Sequence, residues 1–308
     1  MVICRELRDE DTSQVIELLA RGFSQDRRFP DHAARLAYWT RAMRRMAMRL
    51  PPRGLPQYGY CLDADGHLVG VLLLIFADIN GIVRCNTSSW YVEPTFRVHA
   101  PILARRAINH QDVTYFNVSP APHTWTLLEA QGYASYANGR FIAVPGLCRG
   151  DGARVRSYTA DLRCGTDLSQ SEVDLLRFHA AIDCISLTCE RNGVRYPFVF
   201  APHVRGHALP LVRLVYCRDL DSLVRFAGAF GRYLLRQGYP LVVMDAEAPI
   251  RGLPGYYKAG SRRYWKGPVP MRLGDLAYSE IVMFGRDRVG RGTAQAVYPN
   301  SAGTPARA

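Results

Sequence analysis

The chain has 308 residues, of which 48% are hydrophobic and 21% charged, and its 39 Lys and Arg against 27 Asp and Glu give a formal charge of +12. That length suits two domains of ordinary size, and that composition excludes a disordered chain. The positive excess either matches an anionic ligand or surface, such as a nucleotide cofactor, an acidic polymer, nucleic acid or phospholipid, or serves solubility alone.

Eight cysteines are scattered from Cys4 to Cys217, none of them spaced C-x-x-C. The nearest pair, Cys184 and Cys189, has no matching second pair, which argues against a zinc site and for no bound metal. Charges at Arg5, Glu6, Arg8, Asp9, Glu10 and Asp11 break any secretory apolar region. The longest apolar run, Leu68 to Ala77, is too short to span a bilayer. The expectation is a soluble cytoplasmic protein with free, mostly buried thiols.

Along the chain, Ile3 to Leu7 reads as a first strand, and Val15, Ile16, Leu18 and Leu19 begin an amphipathic helix ending at Gly22. Asp31 opens a second helix with Leu36, Trp39, Met43, Met46 and Leu50 on one face, stopped by Pro51-Pro52. Arg41, Arg44, Arg45 and Arg49 fall on another face, read either as a solvated stripe or as a guide for an anionic substrate or membrane surface. Asp65-Gly66 is a hairpin signal between the β-rich runs Gly59–Leu62 and Val69–Phe76. Then come a strand over Thr87–Val92, a helix over Ile102–His110, a strand over Val113–Val118 and a helix over His123–Gln131. Gly139 marks a turn before a strand over Phe141–Val144, and Gly146–Gly152 reads as a linker.

The second half follows the same plan. Asn192-Gly193 is a hairpin signal between Ile185–Cys189 and Tyr196–Phe200, and Leu211–Cys217 is a strand. Asp219 caps a helix to Arg236, and Pro240–Met244 is a strand. A short helical stretch reaches Lys258-Ala259-Gly260. Gly66 to Gly132 spans 66 residues and Gly193 to Gly260 spans 67, which points to an internal structural repeat. Asp275 and Glu280 flank a final strand, within reach of a substrate or simply as edge polarity. Residues 286–308 read as a disordered basic tail.

The hairpin Gly59–Phe76, the run WYVEPTFR, the helix after it, VTYFNVS and LLEAQGY together resemble the GCN5-related N-acetyltransferase superfamily over about residues 1–145. The second half resembles a diverged second copy. The resemblance implies an α/β (α+β) fold with two such domains, at 1–146 and 153–285, each a mixed, mostly antiparallel sheet flanked by helices. It implies transfer of an acetyl or other acyl group from acyl-CoA, as co-substrate, to an amine or sugar-like hydroxyl.

The superfamily's pyrophosphate loop, Gln/Arg-x-x-Gly-x-Gly/Ala, falls on Arg97-Val98-His99-Ala100-Pro101-Ile102. Arg97 matches, whereas Ala100 and Ile102 replace glycines that let backbone amides approach phosphates closely. Tyr91 and Val92 fall on the strand whose backbone contacts the thioester, and Glu93 or His123 falls where a base is needed. The tyrosine that protonates the departing thiolate is matched by Leu128 in the first half and by Tyr256 in the second. The replaced glycines and Leu128 also suit a non-catalytic binding or scaffolding protein on the same fold. No G-x-S-x-G, Walker-type or nucleic-acid motif occurs.

Overall fold

Residues 1–26, 29–203 and 210–285 are described in the computed structural model of the chain. Strand β1 (Val2–Glu6) leads to helices α1 (Thr12–Gly22) and α2 (His32–Ala47), then to strands β2 (Gly59–Ala64), β3 (His67–Ile79) and β4 (Ile82–Val92). Helix α3 (Ala100–Ala107), strand β5 (Thr114–Asn117), helix α4 (Trp125–Ala130) and strand β6 (Ala134–Ala143) complete the first half. The second half runs β7 (Arg154–Ser157), α5 (Gln170–Ala181), β8 (Ile185–Arg191), β9 (Val194–His203), β10 (Leu211–Cys217), α6 (Leu220–Arg236), β11 (Leu241–Ala246), β12 (Gly255–Lys266) and α7 (Glu280–Met283).

Local chemistry explains the boundaries that were legible. Asp31 caps α2 by accepting from the Ala34 N–H at 2.7 Å, and Asp219 caps α6 by accepting from the Ser222 N–H at 2.6 Å. Asp65-Gly66 and Asn192-Gly193 both take positive φ at each position, the turn whose twist matches the two strands it joins. A third turn of the same kind, Asn80-Gly81, joins β3 to β4 and extends β4 back to Ile82.

The twelve strands of the described residues form one sheet in the order β1-β2-β3-β4-β5-β12-β6-β11-β10-β9-β8-β7. Every neighbouring pair is antiparallel except β4 with β5 and β10 with β11. The order is a palindrome: each strand of the first half and the strand six later hold equivalent places. The last strand of each half is exchanged, β12 lying between β5 and β6 while β6 lies between β12 and β11.

Helices cover both faces. Along β3, Val71, Leu73 and Ile75 pack in one core with Leu18, Leu19, Trp39 and Met43 of α1 and α2, and Leu72, Leu74 and Phe76 pack in another with Leu103 of α3. The first of these cores also takes in Leu175 and Leu176 of α5 and Met283 of α7, so both halves share it. Helix α6 packs through Phe226 and Phe230 on Phe198 and Phe200.

Several expectations are corrected. Gly139 is no turn but lies inside β6, opposite Ala246 and Ala259, where a Cβ would meet the Lys258 carbonyl oxygen at 2.6 Å. Residues 255–260 are strand, because the long ladder with β6 outweighs local helical preference; Gly260 therefore sits inside β12 and is no counterpart of Gly132. Asp275 and Glu280 flank no strand: a turn leads into the short α7. The arginine stripe is split. Arg44 is exposed, whereas Arg45 is buried and donates to the Val282 and Gly285 carbonyl oxygens at 3.2 and 2.9 Å. The Arg49 guanidinium lies over the Tyr278 ring at 5.0 Å, and burial lowers its pKa to about 10. Strand β7 and helix α5 were not expected, although α5 opens on a capping box of Ser169 and Glu172. The tail at 286–308 lies outside the described residues. Among those residues no helix is long and apolar enough to cross a membrane.

Candidate active site at the parting of β4 and β5

The parallel ladder between β4 and β5 has three rungs, Arg84 with Thr114, Cys85 with Tyr115 and Asn86 with Phe116. Beyond Asn86 the strands part. A bulge follows in β4, where Ser89 and Trp90 face the single Leu72 between the pairs Ser88 with Leu73 and Tyr91 with Val71, and Ser89 takes φ 51°. Asn86 is fully buried at the apex; its Nδ2 donates to the Phe116 and Thr87 carbonyl oxygens, each at 3.1 Å.

The gap opens onto a cavity of about 1070 Å³. Ala104 and Ile108, at and just beyond α3, line it together with Leu127 and Leu128 of α4. Its opposite walls come from the aromatic residues Phe23 and Trp39 and from the second half of the chain. Glu280 reaches in at the parting: its N–H donates to Asn86 Oδ1 at 2.6 Å, and its carboxylate accepts from the hydroxyls of Ser88 and Ser119. Tyr133, 5% exposed, also lines the cavity, and burial raises its phenol well above the usual range.

The second half has the equivalent parting, but it is filled. The β10–β11 ladder also has three rungs, ending at Arg213 with Val243, and a bulge follows between Leu214 and Tyr216. Here the chain's own segment closes the gap. The Cys217 N–H donates to the Gly274 carbonyl at 2.9 Å, the Leu276 N–H donates to the Val215 carbonyl at 2.7 Å, and Asp275 bridges to Tyr216. Asp275 also accepts two hydrogen bonds from Arg84, at 2.8 and 3.1 Å, which ties this plug to the first rung of β4.

Of the catalytic and cofactor-binding candidates marked by the resemblance, His123 alone lines the cavity, exposed in the 3-10 turn Pro122–Thr124; Glu280, singled out with Asp275, lines it as well, as does Leu128. Glu93 faces elsewhere: it pairs with Arg21 at 3.4 Å beside a shallow cleft formed with Gln14, Glu17 and His67. The Tyr91 ring packs toward Phe23 in the α1–α2 core, and Val92 is buried in the α3 core. Tyr256, 67% exposed on β12, is outside the cavity lining. Residues 97–102 form a tight turn, not an open loop. A 3-10 helix over Pro94–His99 runs straight into α3, and the Ala100 amide is spent on the Arg97 carbonyl. Arg97, Val98, Pro101 and Ile102 are exposed, and His99 and Ala100 half-buried. Asn86, Ser88 and Ser119 carry no motif and were missed; the Asn in the strand before the bulge is the nearest thing to a signal.

A mixed sheet whose fourth and fifth strands run parallel and part at a bulge, with helices on both faces, has the fold of the GCN5-related N-acetyltransferases. A GCN5-related N-acetyltransferase from Anabaena variabilis superposes with a TM-score of 0.53 at 12% identity, over 86% of this chain and 72% of the other. A conserved protein of unknown function from Enterococcus faecalis, a probable N-acyltransferase, superposes with a TM-score of 0.50 at 11% identity, over 90% of this chain and 73% of the other. At such identities the likeness carries the fold. No protein-family model matches the sequence, and no curated protein matches it.

Proposed function

We propose that the protein is an acyl-CoA-dependent acyltransferase acting on a small amine or sugar-like hydroxyl acceptor, with one working centre in the first half. The observation that carries this reading is the open, bulged parting of β4 and β5 above a large cavity that contains Glu280. The fit to a CoA arm rests on the unpaired β4 edge beyond Asn86 and on the apolar slot between α3 and α4 lined by Ala104, Ile108, Leu127 and Leu128. Arg97, exposed in the turn before α3, is the cation we assign to the phosphates, its guanidinium taking the place of the Ala100 amide that the 3-10 turn has spent. Bound acyl-CoA would supply an activated thioester carbon.

The chain's own part is to hold the acceptor and move one proton. Glu280 accepts it at the carboxylate, which Ser88 and Ser119 orient and which Asn86 anchors through the backbone. His123 on the rim of the cavity is the second candidate for that role. The aromatic wall of Phe23 and Trp39 excludes water. We read residues 1–146 and 153–285 as tandem copies of one unit, the second serving as scaffold, and place the protein in the cytoplasm.

Calorimetry with CoA and acetyl-CoA tests the reading: one site per chain is expected, and no heat at millimolar ligand with folded protein overturns it. The spent Ala100 amide favours a second reading, a binding protein that has given up the cofactor, and that same null result would select it.

A further inference from the structure

Away from β4, the cavity wall holds a charge cluster that the transfer chemistry does not use. Arg213 on β10 donates through Nη2 to Asp245 Oδ1 on β11 at 2.6 Å, and Arg263 on β12 donates through Nε to Asp245 Oδ2 at 3.1 Å. Arg213, Asp245 and Arg263 are 8%, 4% and 3% exposed, and both arginines line the cavity. Among the described residues the bond to Asp245 is the one hydrogen bond of the Arg213 guanidinium, and its Nε is buried with no partner. Two guanidiniums thus share one carboxylate, and the Nε of Arg213 is left as an unmet donor in a wall removed from water, a costly arrangement unless a ligand meets that guanidinium.

Packing does not demand an arginine there. Arg213 stands on the last rung before β10 and β11 part, the place held on β4 by the neutral Asn86. The register slips on β12 beside Arg263, between Ala259 and Arg263 and again at Tyr264, break the ladder where its side chain joins Asp245.

We propose that Arg213 and Arg263 seat a carboxylate of the acceptor, so that the substrate is an amine or hydroxyl compound that also carries a carboxylate, as an amino acid does. This rests on the reading of the cavity as the acceptor's chamber. The planar fork of a guanidinium matches a carboxylate. A phosphate dianion would meet stronger repulsion from the Asp245 and Glu280 carboxylates than a monoanion does. Glu280 lies within electrostatic reach of Arg213, so one end of the acceptor is held while its amine is turned toward the proton acceptor.

The test is calorimetry on the full chain without CoA. A panel of L-amino acids and dipeptides is titrated, each against its carboxamide, with inorganic phosphate as a further probe. At least one carboxylate is expected to bind, with its amide weaker by about tenfold or more. Arg213→Gln is expected to abolish the discrimination and Arg213→Lys to keep part of it. If Arg213→Gln does not fold, the wild-type comparison decides alone. No binding by any carboxylate at millimolar concentration, equal binding of amide and acid, or preference for phosphate overturns the inference. Because CoA is absent, failure of acyl transfer leaves this result standing, and failure here leaves acyl transfer standing.

Discussion

The backbone N–H of Glu280 donates to Asn86 Oδ1 at 2.6 Å across 194 positions of sequence. Asn86 marks the last rung of the β4–β5 ladder, so the point where the strands part and the carboxylate that serves the cavity are fixed to each other by one hydrogen bond. The two serines on its carboxylate come from β4 and from just beyond β5, the two sides of the gap.

Glu280→Gln keeps the shape of the side chain and removes the proton acceptor. Acyl transfer to an amine is expected to fall by about a hundredfold or more in kcat, with little change in the melting midpoint. Steady-state assay of thiol release, alongside a melting curve, checks this; full activity in the variant would move the base to another group.

Arg84, Asp275 and Arg272 form the joint between the first half and the plug. Burial raises the Asp275 carboxyl, and Arg84 and Arg272 more than offset it, holding the group below the ordinary carboxylate range. Asp275→Ala strands the buried Arg84 and is expected to cost about 3–5 kcal/mol in urea unfolding. Arg272→Ala, at the half-exposed edge of the joint, is expected to cost no more than about 1 kcal/mol.

His179 is fully buried, its Nδ1–H donating to the Leu175 carbonyl at 2.7 Å and its Nε2 accepting from the Tyr278 N–H at 3.2 Å. Burial lowers its pKa to about 4, so as pH falls the unfolded chain takes the proton first. The neutral ring therefore stabilises the fold fully above about pH 6.5, and that contribution, on the order of 3 kcal/mol, is lost between there and pH 4. Urea unfolding across this window is expected to show the slope, and His179→Gln to flatten it.

Gly231 on α6 lies against the segment that joins the halves: a Cβ there would stand 2.5 Å from the Pro145 carbonyl carbon and 2.6 Å from the Gly146 nitrogen. Gly231→Ala gains helix propensity but forces backbone apart, and a net loss of about 1–3 kcal/mol is expected by chemical unfolding. Unchanged stability would mean that this crossing yields easily.

What was legible depended on local chemistry. Caps at Asp31 and Asp219 and the turns at Asp65-Gly66 and Asn192-Gly193 act within four residues, so their residues announce them. Residues 255–260, expected as helix, are strand because a Tyr-rich run is compatible with either state, and its partner, β6, lies more than a hundred positions earlier. The same holds for the site. His123 was marked as a histidine where the resemblance calls for a base, and it lines the cavity, whereas Tyr256 matched a spacing while lying exposed on a strand.

The sequence by itself determined the alternation of strands and helices, the hairpins and the likeness to an acetyltransferase frame, because each is written in periodicity and short-range turn chemistry. Only the tertiary structure decided which half holds an open centre. That outcome depends on residues 274–277 closing the gap in the second half while Glu280, three positions further on, enters the gap in the first. It also brought Arg213, Asp245 and Arg263 together from three strands. Such groups meet through strand order and exchange, which are properties of the whole sheet and leave no mark on any one segment of the chain.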